Sequence, residues 1–162
     1  MYPYEASVEL PLPMLFLPIP GGAVTTDMEG GFISNASGSQ FTTVELSGSW
    51  STVYTGGTTP EVGVQFEDGY NNVNLDDLGN VKERSAYRSV TLIHEHMKEY
   101  LPNFTGLDFS LTTNVDVEGE CNAFYDGISV NFYDTGGGCN PTSLIADVVW
   151  HEYGHGINDY FY

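Results

Sequence analysis

Apolar residues step by 4, 3, 4 and 3 positions through Ala86, Val90, Ile93, Met97 and Tyr100. A single stripe at that period predicts an amphipathic helix over residues 83–101, stopped by Pro102. A second helix is predicted to open at Pro141-Thr142-Ser143, with Thr142 or Ser143 as N-cap, and to run to about Asp159. The apolar stretch from Leu144 to Val149 within it is expected to be buried. Elsewhere the period is two. Phe109 to Thr113 alternates, and Ile128, Val130 and Phe132 fall on one face of a predicted strand. Phe41 to Leu46 and Ser51 to Tyr54 read as further strands between Gly, Asn and Asp turn clusters. The pattern leaves the order in which strands pair open.

These elements divide the chain into three parts and predict an α+β fold. Residues 1–22 form an extended, proline-punctuated lead-in. Residues 23–66 form a β-rich region, accessory or propeptide-like. Residues 67–162 begin with a polar loop over 67–82 and carry both helices. Carboxylates in that loop suit calcium, which takes oxygen ligands, but their spacing matches no EF-hand and reads equally as a solvated loop.

Charge narrows the class of partner. The chain of 162 residues has 4 Lys and Arg against 22 Asp and Glu, a formal net charge of −18. No basic footprint for nucleic acid exists. An aromatic content of 14% argues against disorder. No segment approaches the roughly 20 apolar residues of a membrane span. Met1 to Glu5 lacks the basic and apolar regions of a secretory leader, though a mature chain would look the same. Low Lys with abundant Gly, Ser, Thr, Asn and Tyr points to a secreted or extracellular protein. In that setting Cys121 and Cys139 form one disulfide; the alternative is two free thiols. Asn35 and Asn103 lie in glycosylation sequons.

The residues with chemistry lie in the second helix. His151-Glu152-Tyr153-Gly154-His155 is an HExxH pattern. Residues i and i+4 share a helix face, so two imidazoles can converge on one metal. Glu152, beside the first histidine, can then act as general base on a metal-bound water that attacks a carbonyl. Zinc fits nitrogen ligands of this kind. The competing reading is a surface pair of histidines. Gly154 and Gly156 each weaken the helix by about 1 kcal/mol relative to Ala, unless they permit close packing. His94-Glu95-His96 differs: residues two apart diverge by about 200° on a helix, so these histidines read as ordinary helix-surface residues.

The stretch Asp147 to Tyr160 resembles the active-site helix of thermolysin-like and fungalysin-like zinc metallopeptidases, the gluzincins. Asn122-Ala123-Phe124-Tyr125-Asp126-Gly127 is similar to their edge strand, and the order of elements over 83–162 also matches. The resemblance implies that 67–162 is the N-terminal lobe of a peptidase, ending in its zinc helix. It makes His151 and His155 zinc ligands and Glu152 the general base. It makes Asn122 and Ala123 holders of an extended peptide or protein substrate. Asp147 matches a calcium-ligand position, although favourable placement near the helix N-terminus explains it equally.

Gluzincins take a third zinc ligand from a Glu on a later helix. Only seven residues follow His155, and none is Glu. The expectation is therefore a peptidase fragment, inactive alone, completed by a missing C-terminal lobe or another copy of the chain. The alternative is a secreted, non-catalytic, self-assembling protein derived from such a lobe.

Overall fold

A computed structural model describes residues 9–162. The first eight residues of the expected lead-in lie outside the described residues. The fold is mixed α and β, with two α-helices and three sheets among the described residues.

The chain enters through two short strands, β1 (Phe16–Leu17) and β2 (Val24–Thr25), paired antiparallel. β3 (Gln40–Glu45) and β5 (Glu61–Phe66) then pair antiparallel over six residues, from Gln40↔Phe66 to Glu45↔Glu61. Phe41 lies over Gly63 there, where a Cβ would meet its ring at 2.7 Å. The strand between them, β4 (Ser51–Thr55), leaves this pair and joins the main sheet. The β-rich stretch 23–66 is therefore shared among three sheets with one hydrophobic core beneath.

α1 spans Val81–Tyr100. Its start is a capping box: the Asn80 side chain accepts from the Lys82 and Glu83 amides, and the Glu83 carboxylate accepts from the Asn80 amide at 2.6 Å. The 83–101 stripe omitted this signal. Ala86, Val90 and Met97 are buried as expected, Ile93 partly so, and Tyr100 is exposed. Tyr87, Thr91 and His94 complete the buried face. His94 is therefore not a surface residue; the stripe 86, 90, 94, 97 includes it. His96, two positions on, is exposed.

The main sheet has the order β4-β6-β8-β7. β6 (Leu111–Val117) pairs parallel to β4, and β8 (Ser129–Tyr133) pairs parallel to β6. Parallel neighbours need a crossover, and α1 lies within the connection from β4 to β6. β7 (Ala123–Tyr125) runs antiparallel to β8 and forms the sheet edge. Val130 and Phe132 are buried, but Ile128 precedes the strand and is 75% exposed. β8 lies between two neighbours and also buries Ser129 and Asn131.

A one-turn 3₁₀ helix at Thr142–Leu144 precedes α2 (Ala146–Phe161). Neither Thr142 nor Ser143 caps α2. Its N-cap is Ile145, which offers no side-chain bond. The Thr142 hydroxyl instead donates to the Asn122 and Tyr133 carbonyls, joining this turn to the β7–β8 hairpin. The expected burial of Leu144 to Val149 is realised fully only at Val149; Leu144 and Ile145 face solvent.

Candidate metal centre

α2 presents two faces. Val149, Glu152, Tyr153 and Gly156 point inward, at spacings that follow one side of a helix. Trp150 Nε1 donates to the Ser89 carbonyl of α1 at 3.2 Å and limits rotation of the helix. The outer face carries His151 and His155, both exposed. Their Nε2 atoms lie 3.1 Å apart, with ring planes at 90°. Two nitrogens bound at 2.0–2.1 Å to one tetrahedral ion lie about 3.3 Å apart, so this pair has nearly the spacing of a two-histidine chelate. Without an ion, one imidazole N–H donates to the other ring.

Glu152 lies between them in sequence but is only 6% exposed. No hydrogen bond to its carboxylate is formed among the described residues, yet it borders the cleft. That shallow cleft, about 560 Å³, lies between α2 and β7 and is lined by Asn122 to Tyr125, His151, Glu152, His155, Asn158 and Asp159. A nearly buried carboxylate without a hydrogen-bond partner, at the margin of the cleft, is placed within reach of a group bound there. Asp159 and the −18 charge of the chain favour a cation here. Among the described residues, no three His, Cys, Asp or Glu side chains gather to hold a metal ion. The donor set is therefore a two-histidine face with one carboxylate beside it.

The other wall is a strand edge. Tyr133 N–H donates to the Asn122 carbonyl and Asp126 N–H donates to the Ser129 carbonyl. In an antiparallel pair such bonded positions alternate with unbonded ones. Phe124 thus faces Asn131, while the N–H and C=O groups of Ala123 and Tyr125 point away from β8, toward the free edge. The Asn122 carbonyl is already engaged by Tyr133 and Thr142. Ala123 and Tyr125 offer the free backbone, while Asn122, exposed at the cleft, offers its side-chain amide. Tyr125 was missed because backbone direction depends on register, which the sequence pattern left open.

Tyr125 also bonds the Gly127 carbonyl at 2.8 Å, with Asp159 at 3.5 Å. Partial burial, with Tyr160 and Asp159 nearby, pushes its pKa up to about 12. The hydroxyl stays a donor at any ordinary pH. Burial disfavours the Asp126 carboxylate, but donors from Ile128 and Ser129 outweigh it and hold its pKa below the usual range. Asp126 thereby closes the β7–β8 turn.

The cysteines form a disulfide, Cys121–Cys139, with an S–S distance of 2.16 Å. It joins the residue before Asn122 to the segment leading into α2, and so fixes both walls of the cleft at one end. Asp147 is exposed in the first turn of α2, outside the cleft. A Cβ at Gly154 would meet nothing within 4 Å, and one at Gly156 would make ordinary contacts at 3.5 Å with Leu107 and Tyr125. Close packing therefore requires neither glycine.

No protein-family model matches the chain, and no curated protein is similar enough to count as a relative. Among the described residues, no helix is long and apolar enough to cross a membrane.

Proposed function

We propose that this chain is the metal-binding lobe of a zinc-dependent endopeptidase of the gluzincin type. One observation carries the reading: the two imidazoles of HExxH converge to 3.1 Å beside a free strand edge, across a cleft that Glu152 borders. Zinc, when bound, supplies Lewis acidity toward a carbonyl oxygen and toward water. The chain's own residues do the rest. Ala123 and Tyr125 hold a substrate backbone in extended form by strand addition. Glu152 takes a proton from water in the cleft and passes it to the leaving nitrogen. His151 and His155 hold the ion on the cleft side of α2. The described residues bring two imidazoles together and no third His, Cys, Asp or Glu, so full coordination takes a donor from outside them. The resemblance alone supports calcium at Asp147, which lies in the first turn of α2.

Secretion follows from the same reading. The disulfide and the exposure of Asn35 and Asn103 support it.

The test is direct. Zinc titration of the chain is expected to show one site that His151→Ala and His155→Ala each abolish. In the protein that carries the third donor, Glu152→Gln is expected to keep zinc and lose peptide hydrolysis. Zinc binding indifferent to both histidines, or proteolysis that survives Glu152→Gln, overturns the proposal.

An exposed aromatic patch bears on the second reading, a non-catalytic assembly. Tyr160, Phe161 and Tyr162 end α2 as an exposed aromatic patch, with Tyr162 99% exposed. Such patches mark contact surfaces. Both readings bury it, against a further lobe or another copy. The intact mass of the natural protein separates them: a mass well above 17.7 kDa favours the peptidase.

A further inference from the structure

The inner face of α2 rests on a polar cluster that no step of the proposed reaction uses. His94, on α1, is fully buried. Its ring stacks on Trp50, with centroids 3.7 Å apart and planes at 14°. Its Nε2 lies 3.2 Å from Asp108 Oδ1, so Nε2–H donates to that carboxylate. Lys98 donates to the same carboxylate at 2.8 and 3.0 Å. Trp50 Nε1 donates to Glu95 Oε1 at 2.6 Å and locks the indole. Each ring of the stack is thus held by a separate carboxylate. Tyr153 makes an edge-on contact with the His94 imidazole, at 6.4 Å and 82°. Tyr153 is buried and follows Glu152 directly.

We infer that His94 is a positioning residue: its bond to Asp108 and its stack on Trp50 fix the surface on which Tyr153 seats α2, so that His151 and His155 converge on the far face. An aliphatic contact in its place would leave the Trp150–Ser89 bond alone to limit rotation of α2. A planar ring fixed at two points does not. The inference rests on the metal-binding reading of His151 and His155, and its test has a readout that survives failure of that reading.

Two variants separate positioning from packing. His94→Phe keeps a ring in the stack but has no donor for Asp108. His94→Gln loses the ring but returns an N–H donor near the place of Nε2. Cobalt(II) affinity of the full chain, followed by absorption, and the imidazole ¹⁵N signals of His151 and His155 are measured for both. Positioning predicts that His94→Phe stays folded by circular dichroism, weakens cobalt about 10-fold and shifts both imidazole signals. It predicts that His94→Gln lies closer to wild type. The opposite ranking, with Phe equal to wild type and Gln worse, reduces His94 to core packing and overturns the inference. Should the wild-type chain take up no cobalt, the metal reading fails, and the imidazole signals alone still rank the variants.

Discussion

Both helices carry a His-Glu pair, and the two pairs are turned opposite ways. In α1, His94 is sealed inside and Glu95 reaches outward to Trp50. In α2, Glu152 faces inward and His151 lies in the open cleft. The dipeptide itself therefore says nothing about role. The neighbours one turn away decide it. His94 falls in register with Val90 and Met97, on the apolar stripe. His151 falls in register with His155, and the stripe of α2 passes instead through Val149, Glu152 and Tyr153. A histidine beside apolar residues becomes a structural donor. A histidine one turn from another, on an exposed face, brings two ring nitrogens together.

Truncation is the strongest way to break this comparison. His94→Ala is expected to lose about 3 kcal/mol of stability, from the cavity and the lost bond to Asp108. His151→Ala is expected to stay within about 0.5 kcal/mol, as exposed positions usually do. Urea unfolding of the two variants checks both values, and equal losses would erase the contrast. Reducing Cys121–Cys139 is expected to cost about 3 kcal/mol, from a closed loop of 18 residues. The loss should show at the open side first, as faster hydrogen exchange in β7 and the start of α2 with α1 protected. A smaller effect sharpens the picture of α2. Gly154→Ala has room for its methyl and is expected to raise stability by about 1 kcal/mol, read as a higher urea midpoint.

The mildest effect is in pH. Burial lowers the His94 pKa against the opposing pull of Asp108. The native state therefore binds its proton more weakly than the unfolded chain. Stability from the neutral ring is full above the unfolded value of about 6.5 and declines as pH falls toward the native value. His94→Phe, which does not titrate, is expected to flatten the urea midpoint against pH in that window. An unchanged slope would assign the acid sensitivity to carboxylates instead.

The parts that were legible share one property: they depend on residues within a turn or two of each other. α1 was expected over 83–101 and spans Val81–Tyr100. The convergence of His151 and His155 follows from i, i+4 spacing. Local pattern misled where context was needed. Ile128 alternates with Val130 and Phe132 yet lies outside the strand. Thr142 has the chemistry of an N-cap, but it lies in the 3₁₀ turn ahead of α2, whose N-cap is Ile145, and its hydroxyl donates to two carbonyls of the β7–β8 hairpin.

By itself, then, the sequence determined two helices, short strands, an acidic chain without a basic surface, and one helix face that carries two histidines a turn apart. Helix period, charge and residue chemistry are properties of neighbours along the chain. Only the tertiary structure decided that β4 leaves its flanking strands for a parallel place beside β6. It alone turned the free amides of Ala123 and Tyr125 toward the cleft and set His94 beneath α2, and it settled the two cysteines as the expected disulfide rather than free thiols. Those choices depend on which distant surfaces bury each other and which strand edges are left without a partner, and residue spacing carries no record of either.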